Sequence, residues 1–177
     1  MTADAILPRI LVSPASPDGT RGFVRAGTMA VPCALGRTGV SQWKREGDGA
    51  TPAGSFTLRA VLYRADRVPR PWTHLPVTAI HEDSGWCDDP NDRAYNRPVR
   101  LPFAAGHERL WRDDHLYDLV VVIDYNLSPV RRGAGSAIFL HIATKEFAPT
   151  AGCVAVSRET MFRLLPHLGP QTTIEIG

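Results

Sequence analysis

A cysteine and a histidine in the last third of the sequence are the residues best suited to nucleophilic chemistry. Cys153 follows a segment rich in Pro, Thr and Gly, and His141 ends the apolar run Ile138-Phe-Leu-His141. Because the thiolate and not the thiol attacks carbonyl carbons, a nucleophilic cysteine benefits from a neighbouring imidazole base. The spacing, 153 − 141 = 12 residues, lets the chain leave one strand and return on the next, which would bring the two side chains within hydrogen-bond reach.

The same two residues also have a purely structural interpretation. Free cysteine is among the most buried residue types and packs like a small apolar side chain. A histidine on an apolar strand can likewise be a core residue whose ring nitrogens are satisfied inside the protein. The spacing alone leaves both interpretations open.

Short apolar and β-branched stretches predict that strands position these residues. The stretches alternate with turn residues, in a sequence that contains 15 Gly and 15 Pro. This pattern is typical of a mostly β domain with minor α content. The predicted strands cover residues 9–12, 22–25, 29–35, 54–62, 119–123, 138–142, 154–156 and 172–176.

One amphipathic helix is predicted after Cys153. Ser157 is a suitable N-cap, and Gly169-Pro170 ends the helical pattern. A helix that starts here could bring its positive N-terminus near the thiolate. Its apolar face is expected to consist of Met161, Phe162, Leu164, Leu165 and Leu168.

The composition changes between residues 63 and 118, where aromatic side chains alternate with hydrogen-bonding ones. We expect a long ordered insertion of loops and short helices. Such a mixture suits the recognition of a polar, extended substrate, although scattered aromatic residues can also simply fix surface loops. Four residues are candidate substrate contacts because they offer hydrogen bonds to zwitterionic peptide ends: Tyr95, Asn96, Tyr125 and Asn126.

Length and charge exclude several classes of protein. A chain of 177 residues is expected to form a single domain. Its net charge of +2, with acidic and basic residues interspersed, predicts neither nucleic-acid binding nor a polybasic membrane patch. The apolar runs are too short to predict a transmembrane segment. The first 12 residues lack the pattern of a signal peptide, so we expect either that the protein stays inside the cell or that its export is not encoded here.

The cysteines do not predict a disulfide framework or a metal site. Cys33, Cys87 and Cys153 are widely separated and odd in number. No C-x-x-C or H-x-x-x-H pair is present in the sequence, so we expect neither a metal nor another cofactor.

Two sequence motifs together resemble the L,D-transpeptidase catalytic domain, the YkuD-like family. The first is Gly135-Ser-Ala-Ile-Phe-Leu-His-Ile142 followed by Thr150-Ala-Gly-Cys-Val-Ala-Val-Ser157, and the second is the upstream Thr51-Pro-Ala-Gly-Ser-Phe56. The resemblance implies one catalytic domain over residues 1–177, a β-sandwich or barrel with an insertion at about 63–118. It also implies a cysteine-dependent transpeptidase that cross-links peptidoglycan stem peptides.

The resemblance also implies roles for individual residues. Cys153 would be the nucleophile and His141 its base, with the main-chain carbonyl of Ile142 orienting the imidazole. Backbone amides at Gly152 and Cys153 would stabilise the oxyanion, and Thr150 is expected to contact the substrate. The implied partners are donor and acceptor stem peptides, the implied location is the periplasm or cell envelope, and we expect a monomer.

The sequence departs from the commonest family pattern at two positions. Ala151 stands where many members have a second histidine, and Ala155 stands where many have an arginine. His141 is therefore the only base that the motif supplies, and a usual anchor for an anionic substrate group is missing. These changes indicate a divergent branch. An L,D-carboxypeptidase, a D-amino-acid exchange enzyme and a non-catalytic peptidoglycan-binding module remain as alternatives.

Overall fold

The computed structural model describes residues 5–177, which form mainly strands, and so confirms the predicted mostly β fold with minor α content. Residues 1–4, part of the stretch on which the signal-peptide expectation rests, lie outside the described residues. No helix within residues 5–177 has the length and apolar character needed to cross a bilayer. The elements are β1 (Arg9–Pro14), β2 (Arg21–Ala26), β3 (Met29–Ala34), β4 (Val40–Ser41), β5 (Thr51–Pro52), β6 (Gly54–Tyr63), β7 (Val77–Ala79), β8 (Ser84–Cys87), β9 (Pro98–Arg100), β10 (His107–Arg109), β11 (Leu119–Ile123), β12 (Phe139–Ile142), β13 (Val154–Val156), the helix α1 (Arg158–Leu164), a 3-10 turn (Leu165–His167) and β14 (Thr173–Ile176).

The main sheet closes on itself. Its strand order is β11-β12-β13-β3-β2-β1-β14-β6-β7, and β11 also pairs with β6, which joins the two sides of the sheet. Most neighbours are antiparallel, but β12 and β13 are parallel, as are β1 and β14. The closed arrangement fixes β12 and β13 side by side and leaves neither of them at an edge.

Strand β11 is apolar along its whole length and β12 is apolar except for His141, because both faces of these strands are covered. Leu119 and Val121 pack in the main core of the barrel, whereas Val120 and Phe139 pack in a second apolar cluster on the other face. All nine residues of the two strands are buried. Continuous apolar runs are expected for strands with this environment.

The second apolar cluster is covered by the segment 64–118. The chain leaves β6 at Tyr63 and enters β11 at Leu119, and these two residues are paired across the strands. Between them lie β7, which pairs with β6 at the end of the main sheet, and a small antiparallel sheet of order β10-β8-β9. Residues 64–118 are all described and contain no helix, so the expected short helices are replaced by short strands and loops. Closely spaced turn residues such as Asp88-Asp-Pro90 interrupt the segment before a helix can form.

The helix begins where the sequence predicts and ends earlier. The Ser157 side chain accepts a hydrogen bond from the Thr160 amide, as an N-cap does. The helix gives way to the 3-10 turn at Leu165, because Pro166 lacks the N–H that would continue the helical ladder. The predicted apolar face is buried except for Phe162, which is 38% exposed. The three residues of β13 and the N-cap Ser157 separate Cys153 from α1, so the helix does not begin directly at the thiol, a point that the sequence left open.

Candidate active site

The parallel pairing of β12 and β13 brings Cys153 and His141 into one cleft. His141 is opposite Ala155, so Cys153, which precedes β13, lies on the same side of the sheet as His141. The Cys153 sulfur accepts a hydrogen bond from the Phe139 amide at 3.4 Å, and its S–H donates to the Ala137 carbonyl at 3.3 Å. Both side chains line a cleft of about 460 Å³.

The orientation of the His141 ring is fixed by its own main chain. Its Nδ1 lies 2.8 Å from the Ile142 carbonyl oxygen, so Nδ1 carries the proton and donates it there. This is the contact that the resemblance implies for Ile142. The edge of the Tyr117 ring packs against the imidazole, with ring centroids 5.2 Å apart. Nε2 is therefore the ring nitrogen that remains to accept a proton.

Both reactive groups are neutral in the resting site. Burial lowers the pKa of His141 to about 4, although the Ile142 carbonyl partly opposes this shift. Burial, followed by the charge of Glu108, raises the pKa of Cys153 to about 12. The imidazole therefore does not hold the thiol proton in advance, and this proton must move as the sulfur attacks.

A tight turn presents Cys153 to the cleft. Thr150 Oγ1 donates to the Cys153 carbonyl at 2.7 Å and accepts from the Gly152 amide at 3.1 Å. Gly152 has φ +140, and a Cβ there would lie 2.7 Å from the Ala50 carbonyl oxygen, so the close approach of the two backbones requires glycine. The Gly152 amide is engaged within the turn and is not the oxyanion donor that we expected. Of the two expected donors, the amide of Cys153 remains.

Thr51 joins the upstream motif to the same turn. Its Oγ1 accepts from the Gly36 amide at 2.8 Å and donates to the Cys153 carbonyl at 3.4 Å. Thr51 is fully buried, so this hydroxyl is satisfied only by these contacts. The sequence analysis did not reveal this contact, because Thr51 and Cys153 are far apart along the chain.

The sequence matches the YkuD family, the L,D-transpeptidase catalytic domain, over residues 9–176. The chain belongs to the YkuD family. Members of this family are cysteine-dependent L,D-transpeptidases that act on peptidoglycan. No curated protein matches the sequence. Within residues 5–177, no group of three or more His, Cys, Asp or Glu side chains is arranged to hold a metal ion.

Two of the predicted substrate contacts in this YkuD domain, Tyr95 and Asn96, are buried outside the cleft. The Tyr95 hydroxyl donates to Glu46 Oε2 at 2.5 Å and accepts from the Gly135 amide at 3.0 Å. Asn96 Oδ1 accepts from the Ala137 amide at 3.1 Å, and its Nδ2 donates to main-chain carbonyls. Both side chains are at most 2% exposed, so they support the chain near Ala137 and do not reach a substrate.

Tyr125 and Asn126 likewise hold the loop between β11 and β12. The Tyr125 hydroxyl donates to the Ala134 carbonyl at 2.5 Å. Asn126 Nδ2 donates to the carbonyls of Arg131 and Gly135 at 2.9 and 2.8 Å. Neither residue lines the cleft with Cys153. Of the five predicted substrate contacts, only Thr150 does, and it also forms the turn.

Charged residues that the sequence analysis did not assign to the site line the cleft beside the thiol. They are Arg37, Lys44 and Arg112 on the basic side and Glu46, Asp88 and Glu108 on the acidic side. Burial raises the pKa values of Asp88 and Glu108. The Tyr117 hydroxyl donates to Glu108 Oε1 at 2.5 Å. Arg112, Glu108 and Tyr117 belong to the insertion, where no fixed spacing relates them to the cysteine motif.

Proposed function

We propose that the protein is a peptidoglycan L,D-transpeptidase that forms cross-links between stem peptides through a thioester on Cys153. The observation that carries this proposal is the shared cleft of a free thiol and an oriented imidazole in a YkuD domain. The sulfur is held by Phe139 and Ala137, and the imidazole by Ile142. His141 lies on β12 and Cys153 directly precedes the adjacent strand β13, so the fold holds both in one cleft. The S–H must turn from the Ala137 carbonyl to His141 before attack.

In the first half of the proposed reaction, the Cys153 sulfur attacks the carbonyl carbon of a donor stem peptide. The thiol proton passes to His141 Nε2 as the new C–S bond forms. The Cys153 amide stabilises the oxyanion of the tetrahedral adduct, a contribution worth about 3 kcal/mol for a well-placed donor. The C–N bond then breaks with its electron pair on the nitrogen, which takes a proton from an acidic group that lines the cleft, and the terminal D-amino acid leaves as an amine.

In the second half, the amine of an acceptor stem peptide attacks the thioester, returns its surplus proton to the acidic group of the cleft and forms the cross-link. The sulfur leaves and regains its proton from His141. Cys153 and His141 are only 6% and 5% exposed, so a bound peptide excludes water from the thioester with little further closure. This exclusion favours transfer to an amine over hydrolysis.

If water attacked the same thioester, the protein would be an L,D-carboxypeptidase. If a free D-amino acid attacked it and received the acyl group, the protein would be an exchange enzyme. The ordered Cys153 turn argues against a third alternative, a non-catalytic peptidoglycan-binding module. Because the substrate is the cell-wall polymer, we propose that the protein acts in the periplasm or cell envelope.

Purified muropeptides provide the test. We expect the wild-type protein to convert tetrapeptide stems into cross-linked dimers and to form a covalent adduct with a carbapenem, both detected by mass spectrometry. Cys153→Ala should abolish both products. Cys33→Ala is the matched control, since Cys33 is an equally buried free thiol in the main core, and it should retain both.

The products also separate the alternatives. Stems shortened by one residue without dimers would indicate a carboxypeptidase. Incorporation of an added D-amino acid would indicate exchange. Turnover or adduct formation by Cys153→Ala would refute the assignment of the nucleophile.

A further inference from the structure

A tyrosine and a glutamate from the insertion form a polar pair beside the thiol. The Tyr117 hydroxyl donates to Glu108 Oε1 at 2.5 Å, and both side chains line the cleft with Cys153. Tyr117 is 5% exposed, and it packs in the second apolar cluster together with Cys153. Its ring also contacts His141 edge-on. The hydroxyl is therefore fixed next to both reactive groups by packing on several sides.

The pair lies close enough to the sulfur to influence it. In the structure the Tyr117 hydroxyl donates to Glu108, while the sulfur bonds to the Phe139 amide and the Ala137 carbonyl. The negative charge of an ionised Glu108 raises the pKa of Cys153, and Tyr117 lowers it. Both members of the pair therefore act on the thiol from the wall of the same cleft.

The proton on Glu108 decides where the tyrosine hydroxyl points. An ionised Glu108 accepts the hydroxyl proton, whereas a protonated Glu108 donates to the tyrosine oxygen and frees the hydroxyl proton for the cleft. Burial is the main cause that raises the pKa of Glu108, and the charges of Asp88 and Glu46 add to it. The Tyr117 hydrogen bond and the charge of Arg112 oppose this shift but do not reverse it.

We propose that Tyr117 and Glu108 form a second acid–base pair, which serves the amine nitrogen of the substrates while His141 serves the sulfur of Cys153. Tyr117 touches the reacting atoms, and Glu108 acts through it as the proton store. This inference rests on the proposed function, because it requires an amide donor and an amine acceptor. It gives a role in the reaction to a part of the insertion that the cysteine motif does not include.

The proton balance of acylation is as follows. The thiol proton goes to His141 Nε2 while the C–S bond forms. When the C–N bond breaks, its electron pair stays on the nitrogen, which takes the proton of the Tyr117 hydroxyl. The Glu108 carboxyl proton replaces it on the tyrosine oxygen. Glu108 ends as a carboxylate, Tyr117 is unchanged and the D-amino acid leaves as an amine.

Deacylation reverses each transfer. The acceptor amine attacks the thioester, and its surplus proton passes to Tyr117 while the tyrosine proton returns to Glu108. The C–S bond breaks with its electron pair on sulfur, and the sulfur takes the proton from His141. Cys153, His141 and Glu108 then regain their starting protonation, so the cycle needs no further acid or base.

Donors with different leaving groups test this division of roles. An amide donor needs a proton on its leaving nitrogen, whereas an activated ester of the same acyl group releases a weakly basic anion that needs none. Glu108→Gln keeps the shape and the hydrogen-bond acceptor for Tyr117 but cannot supply a proton. We expect this variant to cleave the amide donor about 100-fold more slowly, the lower range for general acid catalysis.

The activated ester should not respond. The acylation step starts from a protonated Glu108, so Glu108→Gln changes no charge beside the thiol at that stage, and the leaving group of the ester needs no proton; the rate of acylation by the ester should therefore stay equal. For the amide donor, the wild-type rate should fall as pH rises through the pKa of Glu108, and Glu108→Gln should lack this limb. A merely structural role of Glu108 would not move the pH profile or separate the two donors.

Tyr117→Phe provides a second variant, and Tyr95→Phe is its matched control. Tyr95 also donates a 2.5 Å hydrogen bond to a glutamate, Glu46, but lies outside the cleft. Tyr117→Phe should lower the amide rate at least tenfold more than the ester rate. Tyr95→Phe should leave the ratio of the two rates unchanged, whatever its effect on stability.

Two results would overturn the inference. One is that Glu108→Gln and Tyr117→Phe lower the amide rate and the ester rate by the same factor, and the other is that neither variant lowers the amide rate. Failure of the proposed function has a different signature, since the wild-type protein would then turn over neither muropeptides nor the amide donor. A wild-type protein active on muropeptides whose variants keep the amide-to-ester ratio would refute the Tyr117–Glu108 pair alone.

Discussion

The burial of His141 determines both its protonation and its contribution to stability. Its imidazole is 5% exposed and has a pKa lowered to about 4. In the unfolded chain the pKa of histidine is near 6.5. Between these two values the unfolded state binds more protons than the folded state, so stability rises with pH and falls as the solution is acidified.

We therefore expect His141 to destabilise the protein progressively as pH falls from about 6.5 to about 4. The full effect is about 3 kcal/mol, since each pKa unit corresponds to about 1.4 kcal/mol. Urea denaturation at pH 7 and at pH 4.5 measures it. His141→Asn, which does not titrate, should show a smaller loss between the two pH values than the wild-type protein.

His81→Asn is the control, because His81 is exposed on the insertion. This variant should follow the wild-type pH dependence. If His141→Asn lost as much stability on acidification as the wild-type protein, the imidazole would not be neutral in the folded state.

The sequence identifies functional residues only where they belong to a recognisable motif. Cys153, His141 and Ile142 belong to one motif, and the structure places Cys153 and His141 in one cleft, with the Ile142 carbonyl oxygen bonded to the imidazole. Tyr95 resembles a binding residue in the sequence, because a polar aromatic side chain looks the same whether it meets a substrate or a buried main chain. Glu108 gives no signal at all, since only folding of the insertion brings it to the thiol.

A buried arginine anchors the insertion next to Arg112, which lines the cleft. Arg64 forms two hydrogen bonds to Asp66, at 2.8 and 2.7 Å, and donates to the Arg112 carbonyl at 2.6 Å. Its guanidinium carbon also lies 3.5 Å from the centre of the Trp111 ring. Arg64 thereby fixes the segment that leads into Tyr117.

Replacing Arg64 by lysine should destabilise the protein by about 2 kcal/mol. A lysine retains the charge but loses the paired hydrogen bonds and the stacking on Trp111. The free energy of unfolding in urea is the measurement. Because the segment carries Tyr117, the amide-to-ester rate ratio should also fall.

Arg100→Lys is the matched control. Arg100 also pairs with an aspartate, Asp83, at 2.6 Å, but its side chain is 73% exposed. Such surface pairs contribute about 0–1 kcal/mol, so this variant should stay within about 0.5 kcal/mol of the wild type. Equal destabilisation by both substitutions would contradict the anchoring role of Arg64.

Elements with regular periodicity were predictable, and irregular ones were not. The runs at β11 and β12 are apolar on both faces because the insertion covers one face and the barrel core lies under the other. The start of α1 was predictable from Ser157, but the pattern extended the helix past Pro166. The strands of the insertion are only three or four residues long, too short for an alternating pattern to reveal them.

Phe139 joins the barrel and the insertion into one structure. It is fully buried on β12, between the rings of Trp86 at 5.2 Å and Tyr117 at 6.0 Å. The next residue, Leu140, points into the main core of the barrel. Strand β12 therefore contributes to both apolar clusters, and loss of either cluster would expose one of the two faces of this strand.

We expect the barrel and the insertion to unfold together. Phe139→Leu should cost about 1–2 kcal/mol, because it removes two aromatic contacts while nearly conserving volume. Leu140→Val is the control on the opposite face. Unfolding in urea is followed by far-UV circular dichroism and by tryptophan fluorescence, which includes Trp86 and Trp111 of the insertion. If the two clusters are coupled, the two signals should give the same urea midpoint in each variant. A Phe139→Leu variant whose fluorescence transition precedes its circular dichroism transition would show instead that the insertion, and with it the Tyr117–Glu108 pair, unfolds separately from the barrel.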